Sequence, residues 1–121
     1  MRRLIQIAAL LVVATMPSAW AQEVPKGYAT NGKKVYLADG CYQCHGRVGQ
    51  GGLMTGAAPI LAQTKMPYAA FTRQLRNPIN DMPPYPQSLL SDQQVADIYA
   101  FLQGVPGRRQ AKDIPILNNN Y

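Results

Sequence analysis

Both cysteines and the only histidine of the chain lie together, in the order Cys41-Tyr42-Gln43-Cys44-His45. The spacing C-x-x-C-H is typical of covalent attachment of a c-type haem. Two thiols in this spacing can add to the two vinyl groups of a porphyrin. The histidine that follows can then supply an imidazole nitrogen to the iron as the proximal ligand. The motif therefore predicts one covalent haem c held by Cys41 and Cys44, with His45 bound to its iron.

Three other uses of this motif are weighed against haem attachment. A redox C-x-x-C of the thioredoxin type requires a βαβ setting, whereas the patterns that flank the motif here are helical. A structural zinc site needs four ligands, mainly Cys and His, and this chain has three such residues in total. The third alternative is a plain disulfide beside a bystander histidine. Haem attachment is favoured because it uses all three residues in this order.

The first 21 residues have the pattern of a secretory signal peptide. Arg2 and Arg3 precede an apolar run from Leu4 to Met16, and Ala19-Trp20-Ala21 forms an A-x-A cleavage site. The apolar run is shorter than the about 20 residues that a membrane-spanning helix requires. We therefore predict that the protein is exported to the periplasm and that residues 1–21 are removed.

Residues 22–121 are predicted to form one domain, with a core at about 28–104 and a tail at 105–121. This domain keeps ten of the twelve Lys and Arg residues against six Asp and Glu, so it is mildly basic. Such a charge suits an acidic docking surface on a redox protein partner. The sequence lacks the basic run with interleaved aromatic residues that would indicate nucleic-acid binding. It also lacks a histidine or cysteine outside the motif that would indicate a small-molecule substrate site. The basic residues that could form a docking ring, or neutralise haem propionates, are Lys33, Lys34, Arg47, Lys65, Arg73 and Arg76.

A helix is predicted directly before the motif. It is expected to begin near Thr30 or Asn31, both of which are good N-cap residues, and to end at Asp39-Gly40. Gly32 and Tyr36 are four residues apart and share one face of this helix, which predicts close packing of a second helix there.

Two more helices are predicted after the motif. The first has Pro67 as its first helical residue, with an apolar stripe that continues through Phe71. The second begins with the capping box Ser91-Asp92-Gln93-Gln94 and places Gly104 just beyond its end. Its apolar face follows helical spacing and is the expected partner of the first helix: Val95, Ile98, Tyr99 and Leu102.

Two residues outside the motif are candidates to complete an iron site. Met82 begins the segment Met82-Pro83-Pro84-Tyr85-Pro86, whose prolines prevent helix, and its thioether is a soft ligand suited to haem iron. Met54 lies in a glycine-rich loop and Met66 precedes a helix, so both are weaker candidates. A ligating imidazole usually donates its other N–H to a carbonyl, and Pro59 is the candidate acceptor.

Taken together, these residues resemble the class I cytochromes c, which are small monohaem electron carriers. The resemblance covers about residues 28–104 and rests on five motifs: Gly32 with Tyr36, Cys41 to Gly46, Pro59 with Leu61, Met82-Pro83-Pro84-Tyr85, and the helix from Leu90 to Leu102. It implies an all-α cytochrome c fold, with three to four helices wrapped around one covalent haem. The N- and C-terminal helices would cross at Gly32, with Tyr36 and Tyr99 around the crossing as part of the cofactor site.

The resemblance also implies a ligand set and a function. Cys41 and Cys44 would carry the thioethers, and His45 and Met82 would be the axial ligands. The carbonyl of Pro59 would accept a hydrogen bond from the imidazole of His45. The implied function is single-electron carriage in the periplasm, without catalysis. Two alternatives are kept: a dedicated haem c subunit of a periplasmic dehydrogenase, and a gas-binding haem protein with an open distal site. The redox partner could be a dehydrogenase subunit or a membrane respiratory complex.

Overall fold

The computed structural model describes residues 23–52, 58–107, 109 and 111–117. Within these ranges the chain forms four α-helices: α1 (Ala29–Ala38), α2 (Tyr42–His45), α3 (Tyr68–Arg76) and α4 (Asp92–Gly104). Two short 3₁₀-helices follow, Ala111–Asp113 and Pro115–Leu117. The described residues contain no strand, which confirms the predicted all-α class.

Two predictions fall on parts of the chain that these ranges leave out. The signal peptide at 1–21 and the candidate ligand Met54 both lie outside the described residues. Among the helices that are described, none combines the length and the apolar character needed to cross a membrane.

Helix α1 begins one to two residues earlier than predicted, and its N-terminus is capped from another helix. The residue before the helix, Tyr28, provides no side-chain cap. Instead, Asp97 on α4 accepts the Tyr28 backbone N–H at Oδ1 (2.8 Å) and the Asn31 side-chain amide at Oδ2 (2.7 Å). The N-cap roles predicted for Thr30 and Asn31 are therefore wrong, because a carboxylate 66 residues away from Asn31 in the chain satisfies this helix end.

Helices α1 and α4 cross in direct backbone contact. Gly32 is buried, and a Cβ atom built on it would overlap the carbonyl group of Asp97. The same holds for Gly27 before the helix, whose Cβ would overlap the carbonyl group of Ala96. The predicted close approach at Gly32 is confirmed, and Gly27 is a second such position that the sequence did not reveal.

The ends of the other helices follow the predictions with small shifts. Pro67 is the residue before α3 rather than its first residue. The capping box of α4 is confirmed, since Ser91 and Gln94 exchange side-chain and backbone hydrogen bonds. Gly40 has the positive φ (77°) expected just beyond a helix end, whereas Gly104 lies inside α4 and does not adopt that conformation.

One apolar core lies between α1, α3 and α4. Its buried side chains are Val35, Tyr36, Phe71, Leu75, Leu90, Val95, Ile98, Phe101, Leu102 and Val105. Of the described tail residues, Val105 is part of this core and Ile114 is half-buried, whereas Ile116 and Leu117 are exposed.

The contact between α1 and α4 can be tested through the stability of the protein at acid pH, because it includes the carboxylate of Asp97. Burial raises the pKa of Asp97, but hydrogen bonds from Asn31, Tyr28 and Gln93 outweigh that effect and hold the pKa below its ordinary value. A lowered folded-state pKa adds stability that is complete above the unfolded-state pKa, about 3.9, and is lost as the pH falls through the folded-state value.

We therefore expect Asp97→Asn to cost about 2 kcal/mol of unfolding free energy at pH 7 and to flatten the loss of stability below about pH 4. Denaturant unfolding at pH 7 and at a series of acid pH values measures both effects. Asp113→Asn is the matched control, since Asp113 is exposed in the tail. If Asp97→Asn kept the wild-type acid slope, the carboxylate would not be the source of the pH dependence.

Candidate functional site

The C-x-x-C-H motif lies on α2, a single helical turn between α1 and a glycine-rich loop. Cys41 is half-buried at the start of this turn, Cys44 is exposed, and His45 at its end is only 8% exposed. The two cysteines are not joined by a disulfide. Since they are three residues apart on one turn, their thiols lie on the same side of the helix.

The imidazole of His45 is held by a backbone carbonyl on the far side of the glycine-rich loop. Nδ1 of His45 lies 3.0 Å from the carbonyl oxygen of Pro59. A protonated Nδ1 donates in this contact and leaves Nε2 with a lone pair that can bind a metal. The loop itself is closed by further backbone bonds, including Gly51 N–H to the carbonyl of His45 (2.9 Å).

Tyr36 connects α1 to the end of the motif. Its side chain is fully buried, its hydroxyl donates to the carbonyl of Gly46 (2.8 Å), and its ring packs against Phe101 at 5.5 Å between centroids. Burial raises the pKa of the Tyr36 phenol, so the hydroxyl stays a donor at physiological pH. Tyr36 thus ties α1, α4 and the residue after His45 into one unit.

Tyr99 lies in a different place from Tyr36. Its ring packs on two aromatic residues of α3, Tyr68 at 5.3 Å and Phe71 at 5.2 Å. Its hydroxyl donates to the backbone carbonyl of Met66 (2.9 Å). The structure therefore places Tyr99 at the α3–α4 contact rather than beside Tyr36, and its predicted part in a cofactor site stays a prediction.

Met82 lies on a loop that packs back onto the core. The residue is half-buried against the apolar cluster, and the side-chain amide of Gln74 lies 3.8 Å from its sulfur atom. Met66, the rival candidate within the described residues, is 40% exposed. Of the two, Met82 is the thioether that is both sheltered and contacted by a polar group.

Tyr85 joins the Met82 loop to the start of the motif. Its hydroxyl donates to the backbone carbonyl of Asp39 (3.3 Å), two residues before Cys41. Burial, reinforced by the Asp39 carboxylate, raises the pKa of the Cys41 thiol to about 11. Nucleophilic cysteines of redox dithiols have lowered pKa values, so the environment of Cys41 does not favour the thioredoxin-type alternative.

The zinc alternative requires a cluster of ligands. Among the residues that the structure describes, no group of three or more His, Cys, Asp or Glu side chains is arranged to hold a metal ion.

These residues instead fit a covalent haem. Two thiols lie on one face of a helical turn, an imidazole has one nitrogen anchored and the other available, and a sheltered thioether lies on a neighbouring loop. An all-α domain with this combination is a c-type cytochrome domain.

A comparison with protein families leads to the same class. The model of the family described as cytochrome C oxidase, cbb3-type, subunit III matches residues 27–102, which is more than half of the 121-residue chain. The chain belongs to this family. The resemblance to a small monohaem cytochrome c is thereby confirmed, and the cofactor is covalently bound haem c with its iron. No curated protein and no solved structure matches the chain.

Sequence reasoning missed Gln74 and the contacts of Arg76, both of which lie on α3. Gln74 contacts the Met82 sulfur, and Arg76 points inward to two backbone carbonyls and the Asp92 carboxylate. Arg76 is therefore bound to acceptors within the protein, whereas the other five basic residues named above are exposed. Helical spacing does not reveal either set of contacts, because the partners lie outside α3, between Met82 and the first residue of α4.

Proposed function

We propose that the chain is an exported single-electron carrier in which Cys41 and Cys44 hold one haem c and His45 and Met82 are its axial ligands. The observation that carries this proposal is the anchored imidazole: Nδ1 of His45 at 3.0 Å from the carbonyl of Pro59. This contact orients the ring and makes it a stronger donor through Nε2. The sheltered sulfur of Met82 supports the second ligand.

The bound haem supplies the redox chemistry, a one-electron exchange between ferrous and ferric iron. The protein restricts the movement of the residues that bind the iron. Pro59 fixes the histidine ring, Tyr36 fixes the segment after it, and the core against which Met82 packs limits movement of the thioether. Rigid ligation in both oxidation states lowers the reorganisation that accompanies electron transfer.

The visible and near-infrared spectra of the purified protein, with a redox titration, test this proposal. We expect the α-band of a c-type haem in the reduced state and a weak near-infrared sulfur–iron band in the oxidised state. Carbon monoxide should bind the reduced protein slowly or not at all. Rapid binding together with a missing sulfur–iron band would instead support the gas-binding alternative, which requires an open distal site.

The proposed partner is a redox protein with an acidic docking surface. Five of the six basic residues considered above are exposed: Lys33, Lys34, Arg47, Lys65 and Arg73. We expect electron transfer to such a partner to slow by roughly tenfold as ionic strength rises from 0.01 to 0.5 M, because screening shortens the range of attraction. Stopped-flow kinetics measure this rate, and an uncharged small-molecule reductant is the control that should show no salt dependence. A flat rate with the protein partner would rule out electrostatic docking.

One observation favours the alternative of a dedicated subunit. The matched family is described as a subunit of an oxidase, and a subunit would use the same haem site while bound permanently to a complex. Export to the periplasm is compatible with both forms. Purification of the native protein from the membrane and soluble fractions separates them, since a subunit should co-purify at a fixed ratio with its complex and a carrier should not.

A further inference from the structure

The loop that carries Met82 is closed at its base by backbone and side-chain bonds to α3. It starts after the end of α3 at Arg76 and returns to that helix at Tyr85, whose backbone N–H donates to the carbonyl of Leu75 (2.8 Å). Met82 lies three residues before this bond. The position of the thioether relative to α3 therefore depends on how firmly the base stays closed.

Arg76 reinforces this base with a second set of bonds. Its Nη1 donates to the carbonyl of Tyr85 (2.7 Å) and to that of Leu90 (2.6 Å), and its Nη2 donates to the Asp92 carboxylate (2.6 Å). The Arg76 side chain is 16% exposed and that of Asp92 is 63% exposed, so the two bonds to carbonyls are better shielded from water than the ion pair. The guanidinium provides several donors in one rigid plane, whereas an ammonium is a compact point charge with no such fork.

The carbonyls of Tyr85 and Leu90, which Arg76 binds, lie at the two ends of one turn. Between them, the backbone N–H groups of Leu89 and Leu90 both donate to Pro86 (2.9 and 3.0 Å), which forms a compact turn between the Met82 loop and α4. Gln87 in this turn also donates to Asp92 (2.6 Å). Arg76 thus joins α3, the returning end of the Met82 loop and the first turn of α4.

We propose that Arg76 is a positioning residue that keeps the Met82 loop closed and so determines how often the Met82 thioether leaves its ligand position. This inference rests on the proposed function, in which Met82 is the distal ligand. Loss of Arg76 leaves the carbonyls of Tyr85 and Leu90 without a charged donor and leaves the loop base held mainly by the Leu75–Tyr85 bond.

Imidazole binding to the oxidised holoprotein measures this opening. Added imidazole can bind the iron only when Met82 has left, so its apparent dissociation constant falls as the open fraction rises. We expect Arg76→Met to tighten imidazole binding by about tenfold or more, since several charge-assisted hydrogen bonds are lost. Arg76→Lys should also tighten it, because the ammonium lacks the planar fork that serves two carbonyls and a carboxylate.

Two control variants separate this effect from general ones. Arg73→Met removes an exposed arginine of the same helix and should leave imidazole affinity unchanged. Asp97→Asn weakens the distant α1–α4 contact and should lower thermal stability without changing imidazole affinity. Unchanged affinity in Arg76→Met would overturn the proposal, and so would equal tightening in Asp97→Asn at the same loss of thermal stability.

A further pair of measurements distinguishes failure of this inference from failure of the Met82 assignment. If Met82→Ala leaves the sulfur–iron band and imidazole affinity unchanged, Met82 is not the ligand, whatever Arg76 does. Hydrogen exchange of the Tyr85 backbone N–H then tests loop closure directly. Exchange about tenfold faster in Arg76→Met than in Arg73→Met supports loop closure by Arg76, and equal exchange in the two variants overturns it.

Discussion

Replacing Met82 by Ala is expected to lower the reduction potential by roughly 100 mV or more, within the about 0.8 V range that axial ligands span. A thioether is a weak donor to ferric iron and so favours the ferrous state, and Ala removes it. The near-infrared sulfur–iron band should disappear, and carbon monoxide should bind the reduced protein quickly. A spectroelectrochemical titration of the purified variant measures the potential and the band together.

Met66→Ala is the matched control for this prediction, because it removes a thioether from the second methionine that the structure describes. Met66 is 40% exposed and contacts Tyr99 through its backbone carbonyl, so the substitution should leave the potential and the band as they are. The assignment fails if Met66→Ala loses the band while Met82→Ala keeps it. If neither variant loses it, the ligand lies elsewhere in the chain.

Gly32→Ala is the substitution with the largest expected effect on stability. A Cβ at this position would overlap the carbonyl of Asp97 and approach the backbone nitrogen of Ile98. Backbone atoms cannot rotate away as a side chain can, so α1 and α4 would have to separate. We expect a loss of about 2–3 kcal/mol in unfolding free energy, even though Ala is intrinsically a better helix residue than Gly. Denaturant unfolding of the holoprotein, followed by circular dichroism, measures this loss.

Gly104→Ala provides the opposite case on the partner helix. Gly104 lies in the last turn of α4 without a positive φ, and a Cβ there would meet nothing within 4 Å. The substitution should therefore leave stability unchanged or raise it by up to about 1 kcal/mol. If the two glycine variants had the same unfolding free energy, the close approach of the helices at Gly32 would not be an energetic constraint.

The Met82 loop and the C-x-x-C-H turn are connected both by hydrogen bonds and through the apolar core, against which Met82, Tyr85 and Cys41 all pack. Tyr85 donates to the carbonyl of Asp39 beside the motif, and its own N–H and carbonyl are bound by Leu75 and Arg76. Movement of either segment would therefore disturb several hydrogen bonds at once. This arrangement agrees with the proposed function, in which His45 and Met82 are the axial ligands and keep their positions as the iron changes oxidation state.

The local chemistry of this protein was determined by the sequence alone. The motif from Cys41 to His45 defines the cofactor, and the prolines after Met82 prevent helix at that point. Ser91 with Gln94 defines the start of α4, and Gly32 marks the helix crossing. Each of these signals depends on residues a few positions apart, where bond geometry and helical periodicity decide the outcome.

The long-range contacts were decided only by the tertiary structure. Asp97 caps α1 from another helix, which moved the start of that helix away from its predicted N-cap residues. Arg76 reads as a surface charge in a helical stripe, yet it turns inward because three acceptors converge on it from the Met82 loop and α4. Gln74 contacts the sulfur of Met82 because the Met82 loop folds back onto α3. Such partners are brought together by packing of the apolar core. The spacing of residues along the chain does not predict which helix a loop will contact.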